Sequence, residues 1–468
     1  MSMLTVVKEL TGLRLMTPND TYRQLQRIKV SFRGIIDKKK ETDRIISGGE
    51  DQIDLSAPLM CSNGKRLRTY TKVEIEKDLF GGAAVRNLAD QMDKHGIGGV
   101  YKDGKSTIWR VSQVERNEIA QKICNTFHPK VRHECEKIQI FLVNNLKGGG
   151  GKSTFTVNMG AALALTATAT NESIRVAIID LDPQGSSTDT LLPHLDELNP
   201  DALSVGDLLM HNFSPLTFEG DETYSSVCKD SFLPTNIPNL SILPARTRDA
   251  SFDYHSKNAS IEAVKRGEQY NTAELLAPII ESVKDDFDII LIDTPPQLSE
   301  SSFGAHFIAT SSIIPLKAAQ NDRDSTAKYA DQLPDLYQNM YKNGHQGYDS
   351  VSLVLMSHME TSRSEAQFDA DLRSLLHEVM LTPFKHSEAI KVCSDTFKTI
   401  YDISGSEYSR VDKESGSKNF GTKEQLVKAQ DNGLMIAREL MSKIDQTWAN
   451  QRAAAGVKSG YELDMEEL

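Results

Sequence analysis

Residues 138–158 read IQIFLVNNLKGGGGKSTFTVN, and their types and spacing suit one kind of chemistry, the holding of a polyphosphate. Within them, residues 147–153 spell K-G-G-G-G-K-S, with Thr154 next. Gly148, Gly149, Gly150 and Gly151 carry no Cβ, so backbone N–H groups can turn inward and approach phosphate oxygens closely. Lys152 is placed to reach the β- and γ-phosphates, and the Ser153 hydroxyl to ligate Mg²⁺. A helix expected after the loop aims the positive end of its dipole at the same anion. The loop is altered from the usual pattern. Leu146 stands where a glycine normally opens it, and Lys147 adds a second lysine. A glycine-rich turn without ligand is the plainer alternative, but it would not need a strand before it and a helix after it.

Two later stretches bring carboxylates. In RVAIIDLDPQGSST, residues 175–180 predict a strand that ends in Asp180, with Asp182 two positions on. Strand alternation places both on the same side, at the carboxyl edge of a sheet, where sites of α/β proteins lie. In FDIILIDTPPQLSE, four apolar residues from Ile289 to Ile292 run into Asp293. That is a buried strand delivering one carboxylate, which would hold Mg²⁺ through water. A D-x-D at a strand end, or an Asp after a core strand, is commonplace alone. Their order behind a phosphate loop makes them candidates.

The K-G-G-x-G-K-[ST] form at 147–153 resembles the deviant phosphate loop of the ParA/MinD superfamily, and I-D-x-D-P-Q at 179–184 resembles that family's next motif. The resemblance implies that Lys147 reaches across a dimer to the partner's nucleotide. It implies that Asp182 orients the attacking water and touches the Mg²⁺ shell, with Asp180 in support. Thr294-Pro295-Pro296 resembles the switch that follows Asp293. Stretches 322–337 and 387–402 resemble the larger ParA proteins of low-copy plasmids and secondary chromosomes, which carry an N-terminal DNA-binding domain. The likeness covers nearly the whole chain. It is densest over 138–190 and 285–300 and thinnest in the first 130 residues. It implies ATP and Mg²⁺ as cofactors and slow, partner-stimulated hydrolysis to ADP and phosphate. It also implies a homodimer that can form filaments on DNA, a ParB-type centromere-binding partner, and a cytoplasmic, nucleoid-associated location. Non-specific DNA binding would then use basic residues late in the chain, and Arg363, Lys385, Lys391 and Lys398 are the candidates.

These side chains need a scaffold. The apolar run at 138–143 predicts the strand before the loop, and further strands are expected at 240–243, 312–316 and 352–356. Strands alternating with helices predict an α/β chain of P-loop NTPase type: a mostly parallel sheet with helices on both faces. Ahead of it, 66–111 reads as a winged helix-turn-helix. Thr71 caps a helix to Asp78, Gly81-Gly82 turns the chain, and a second helix spans 83–95 with Gly96 ending it. VYKDGKSTIWRV is then a hairpin with an Asp103-Gly104 turn. Arg86, Asn87, Gln91 and Lys94 on the helix, and Lys102, Lys105 and Arg110 on the wing, are DNA-facing candidates. A plain packing module would look the same. A helix over 21–46, capped by Asn19 or Asp20, suits either dimerisation or packing on its own domain. The expected domains are a helical segment at 1–55, the winged segment at 56–130, the ATPase at 131–450 and a disordered acidic tail at 451–468. A helix at 114–127 joins the middle two.

Charge supports this order. Residues 1–136 hold 24 Lys+Arg against 18 Asp+Glu, the rest 29 against 47, within a net charge of -12. A basic front on an acidic body points to nucleic acid for the front, or to a merely solvated basic surface. No apolar run approaches the ~20 residues a membrane span needs. The acidic end, 461–468, argues against a MinD-like membrane-targeting helix. Five scattered cysteines form no C-x-x-C pair, which argues against an iron-protein-like reductase and for reduced thiols. Two functions remain: an ATP-driven DNA-partition motor, and a nucleotide-controlled transcriptional repressor. One chain can be both.

Overall fold

The computed structural model describes residues 59–457, apart from 104–105, 126–131, 166–173, 269, 272, 343, 346, 360 and 410–420. The chain divides into compact units Met1–Asp54 and Leu55–Leu468. The helix expected at 21–46 and the tail beyond Val457 lie outside the described residues.

The second unit is built on an eight-stranded sheet. Its strands are β3 (Gln139–Val143), β4 (Val176–Asp180), β5 (Leu233–Pro234), β6 (Leu240–Leu243), β7 (Ile289–Asp293), β8 (Ser311–Lys317), β9 (Ser350–His358) and β10 (Phe384–Lys385). They lie in the order β10-β9-β8-β3-β7-β4-β6-β5, and every pairing is parallel except β5 with β6. All five residues of β3, of β4 and of β7 are buried. That is why they read as unbroken apolar runs: helices cover both faces of a parallel sheet.

Alternation divides the apolar side chains between two cores. Phe141, Val143, Ile178 and Leu291 enter one, and Ile140, Leu142, Ile179 and Ile292 the other. The first core holds the helix that follows the loop, α4 (Lys152–Leu165), and the C-terminal helix α9 (Lys423–Ala454). Helix α4 is buried almost all round, because it lies between the sheet and α9. Helix α9 was not anticipated, although Leu426, Ala429, Gly433, Ile436, Ala437, Leu440, Met441, Ile444 and Trp448 form a buried stripe at helical spacing. A Cβ at Gly433 would collide with the Tyr401 hydroxyl, so glycine admits this close approach. The expected tail boundary at 451 is corrected. Residues 451–454 are helical, Gln451 Oε1 accepts from the Lys137 N–H at 2.8 Å, and Arg452 pairs with Glu136.

The front segment comes in the expected order of helix, helix, hairpin, helix. Helix α1 (Lys72–Leu79) starts at a capping box between Thr71 and Glu74. Helix α2 (Leu88–Lys94) is shorter than the expected 83–95, because Asn87 takes a left-handed φ of 58° and starts the helix late. The Glu76 carboxylate accepts from the Val85 N–H at 2.9 Å and holds this turn. Strands β1 (Val100–Asp103) and β2 (Ser106–Trp109) pair with Asp103 opposite Ser106. Strand β1 thus includes Asp103, which the sequence reading placed in the turn, and residues 104–105 lie outside the described residues. Helix α3 (Gln113–Lys122), capped by Ser112, falls short of the expected 114–127.

The boundary expected at 130 does not separate two compact units. Tyr70, Ile75, Leu88 and Met92 belong to the same apolar cluster as Phe155 and Trp448. The Lys65 ammonium is 3% exposed and donates to the Thr190 and Phe397 carbonyls at 2.9 and 3.1 Å. It also pairs with the buried Asp402 at 2.6 Å.

Candidate nucleotide site

Strand β3 ends at Val143, and the chain runs through Asn144 and Asn145 into the glycine loop before α4 begins at Lys152. Asn145 anchors the entry. Its Nδ2 donates to the Pro315 carbonyl at 2.8 Å, and its Oδ1 accepts from the Lys147 N–H at 3.3 Å. Gly149 and Gly151 take φ of 75° and 92°, which demands residues free of a Cβ. The loop floors a cleft of about 560 Å³ that is lined by Gly148 to Thr154, Asp182, Pro296, Lys317, Met356 and residues of the 384–395 stretch. That volume is of the size expected for a small-molecule site.

The expected ligands of a Mg-nucleotide come together here. Lys152 Nζ donates to the Lys147 carbonyl at 3.2 Å. Burial pushes its ammonium below the usual lysine range, while Asp293 and Asp182 pull it back. Asp293 is fully buried. Its Oδ2 accepts from the Ser187 hydroxyl at 2.7 Å, and Ser153 lies beside the same carboxyl. Burial pushes the Asp293 carboxyl up to about 6, against the pull of Ser187, Ser153 and Lys152. Its Oδ1 is buried with no hydrogen-bond partner. A buried carboxylate oxygen left over beside a serine hydroxyl and a glycine loop is what a Mg²⁺-nucleotide would satisfy, so the residues fit that group.

Asp180 and Asp182 part company. Asp180 stands beside Asp293 across the β4–β7 pair and is wholly buried. It accepts from the Thr188 N–H at 2.9 Å, the Thr188 hydroxyl at 2.8 Å and the Asp182 N–H at 3.1 Å. Burial and the Asp293 charge push its carboxyl well above the usual range. It braces α5 (Ser186–Leu191) and the turn. Asp182 is the one at the cleft, where its Oδ1 accepts from the Gln184 N–H at 3.0 Å. On the neighbouring strand the Thr294 hydroxyl donates to the Val143 carbonyl at 2.9 Å, which ties the switch residues to the loop strand.

The structure also places residues that sequence reading passed over. Lys317, at the end of β8, lines the cleft beside the loop. Phe384, His386 and Ser387 close its far side, ahead of α8 (Glu388–Asp395). A polar residue just past a strand at the carboxyl edge was the available signal for Lys317. It could not be used without knowing that β8 lies next to β3.

The DNA candidates scatter. Arg86, Lys94 and Arg110 are exposed, whereas the side chains of Lys102 and Lys105 lie outside the described residues. The short α2 also carries Asp90 and Asp93, so its surface is not uniformly basic. Arg363 is exposed at the start of α7 (Arg363–Leu375). Lys385 and Lys391 line the nucleotide cleft. Lys398 is corrected: it is 6% exposed, held in the turn after α8, so it offers DNA no free ammonium.

Among known proteins, a family model described as an AAA domain matches residues 138–341. Plasmid partition protein A of Escherichia coli is 24% identical over 283 residues, covering 60% of this chain and 68% of that one. Sporulation initiation inhibitor protein Soj of Bacillus subtilis (strain 168) is 29% identical over 179 residues, covering 38% of this chain and 58% of that one. A solved partition protein superposes with a TM-score of 0.53 at 18% identity, over 80% of this chain and 95% of its own, which is a likeness of fold. The AAA-domain match and the relatives named for partition support a ParA-type P-loop partition ATPase.

Proposed function

We propose that the chain is an ATP-dependent DNA-partition protein that serves a plasmid or a chromosome. The observation that carries this reading is the convergence of Lys152, Ser153 and Asp182 on one glycine-floored cleft, with the buried Asp293 carboxyl beside Ser153 and Lys152. ATP would lie with its phosphates along Gly148 to Thr154, Lys152 holding the β- and γ-oxygens. Mg²⁺, held by Ser153 and Asp293 with Asp182 beside it, would neutralise charge on the phosphate oxygens. Asp182 orients a water in line with the γ-phosphorus. The water's oxygen bonds to that phosphorus, the bond to the ADP oxygen breaks, and the water's proton leaves to phosphate or solvent. Positioning and electrostatics supply most of the rate in such a transfer.

Two ATP-bound copies would close face to face, each lending Lys147 to its neighbour's γ-phosphate. That dimer binds DNA without sequence preference, on the nucleoid in the cytoplasm, singly or as filaments. A ParB-type partner speeds the slow hydrolysis and releases it. The front segment, 56–130, would bind the chain's own operator and repress it, with Arg86, Lys94, Lys102, Lys105 and Arg110 as contacts. A repressor without a motor role is the second reading. What favours it is the direct seating of the front segment on the nucleotide-binding unit through Lys65.

DNA binding measured across salt with no nucleotide, ADP and ATP tests both. The motor requires an ATP-dependent, sequence-independent mode, and its salt slope counts the phosphates contacted. Binding confined to one operator in every nucleotide state would sink the motor and leave the repressor.

A further inference from the structure

Strand β8 outruns its neighbour. Val143, the last residue of β3, pairs with Ile313, yet β8 continues beside β9 until Lys317 pairs with Met356. At ~3.3 Å per residue, the four extra residues carry Lys317 roughly 13 Å past that pair, to the level of the glycine loop. There its Nζ donates to the Gly149 carbonyl at 2.6 Å. The base of this arm is held on both sides. Asn145 bonds to the Pro315 carbonyl, and Arg323 Nε donates to the Ala318 carbonyl at 2.6 Å while its guanidinium stacks 4.5 Å from the Phe368 ring centre.

Gly149 needs such a hold. A Cβ built on it would meet nothing within 4 Å, so no neighbouring group packs on that side of its Cα. Glycine peptides also lose the most freedom on being ordered. Within one peptide plane the C=O and N–H point in opposite directions, so a carbonyl pinned on Lys317 sets the direction of the Gly150 N–H. An ammonium-to-carbonyl bond is charge-assisted, and therefore among the stronger ties available to a bare loop.

We propose that Lys317 is a positioning residue of the nucleotide site: its ammonium holds the Gly149–Gly150 peptide so that the phosphate loop is shaped before the ligand arrives. The inference rests on the nucleotide-site reading above. Ordering the loop in advance lowers the entropy lost on binding and so raises affinity for any ligand that uses the loop. Lys317 thereby differs from Lys152, which acts on the phosphates directly, and from Lys147, which is assigned to the partner's nucleotide.

The test is calorimetric binding of Mg-ADP and a non-hydrolysable Mg-ATP analogue to the full chain, comparing wild type, Lys317→Met and Lys317→Arg. Lys317→Met should weaken both nucleotides about tenfold or more and by similar factors, since the loop serves both. Its KM for ATP should rise while kcat at saturating ATP stays within about twofold. Melting of the nucleotide-free protein should be unchanged, and Lys317→Arg, which keeps a cationic donor, should recover most of the affinity. Wild-type affinity in Lys317→Met overturns the inference. So does a loss confined to the ATP analogue, which would mean direct γ-phosphate contact. A loss that tracks a lowered melting temperature and is not rescued by arginine overturns it as well. A wild-type chain that binds neither nucleotide would instead overturn the nucleotide-site reading itself.

Discussion

Lys147 Nζ lies 3.0 Å from an Asp322 carboxylate oxygen, joining the phosphate loop to the first turn of helix α6 (Gln320–Lys342). The lysine assigned to a partner's nucleotide therefore has an anionic neighbour within its own protomer. Dimerisation would exchange that carboxylate for a γ-phosphate. Both side chains are partly exposed, and such pairs are worth ~0.2–1 kcal/mol, so the exchange is cheap.

Lys147→Ala should bind ATP like wild type yet fail to turn it over with DNA and the ParB-type partner present. Asp322→Asn should lower the protein concentration needed for ATP-dependent dimerisation by up to about thirtyfold, which is the whole of two surface pairs, one in each protomer. Sedimentation velocity with a non-cleavable ATP analogue reads the second. Wild-type hydrolysis by Lys147→Ala, measured beside it, would end the trans-lysine assignment.

The raised carboxyl of Asp293 gives a pH signature. With a folded value of about 6 against 3.8 unfolded, the native state holds the extra proton between those limits. Its contribution to stability is then fully present below the unfolded value and lost as pH rises through about 6. Asp180 is raised too and acts in the same direction. Mg²⁺ binding needs the ionised form, so Mg-nucleotide affinity should fall as pH drops below about 6. Asp293→Asn should flatten the stability curve across that window and remove the Mg²⁺ dependence of nucleotide binding. Calorimetric scans from pH 4.5 to 7.5 that superpose for the two proteins would count against this assignment.

Lys65 and Asp402 should behave as one unit. Burial pushes the Asp402 carboxyl up, but the Lys65 ammonium and the hydrogen bonds from Asn236 and Thr399 hold it below the usual range. Lys65→Met strands a buried carboxylate and should cost about 3–5 kcal/mol in urea unfolding. Adding Asp402→Asn should return part of that loss, because the stranded charge is gone. A Lys65→Met chain as stable as wild type would mean that the front segment is not anchored at this point.

The DNA-binding candidates separate by exposure. Arg86→Glu with Lys94→Glu should weaken DNA binding across all sequences and reduce the salt slope by about two, if both meet phosphates. Lys391→Glu, changing a cleft residue, should weaken nucleotide binding more than DNA binding. Lys398→Met should alter melting and leave the salt slope alone, since its ammonium is buried. An unchanged slope in the Arg86 and Lys94 double variant would remove α2 from the DNA interface.

The parts that the chain announces by itself are local ones. Glycines between two lysines, a run from Ile289 to Ile292 ending at Asp293, and Thr71 with Glu74 at a helix start are each written within a few consecutive residues. Neighbour-to-neighbour chemistry dictates such features whatever the rest of the chain does, so strands β3, β4, β6 and β7, the loop and the cap lie within a residue of where they were expected. Helix α2 is the local exception, because one left-handed Asn87 outweighs a helical pattern.

What folding alone decided is which distant segments meet. Nothing near Lys317 says that it will reach Gly149, 168 positions earlier; that follows from β8 lying beside β3 and running past its end. Nothing near Lys398 or Lys65 marks them as buried, because lysine looks solvated until a partner from elsewhere in the chain closes over it. Asp180 and Asp182 look equivalent two residues apart, yet one is covered by Thr188 and the other faces the cleft. Burial and long-range pairing are properties of the packed sheet and its helices, so they enter only when the whole chain has chosen its neighbours.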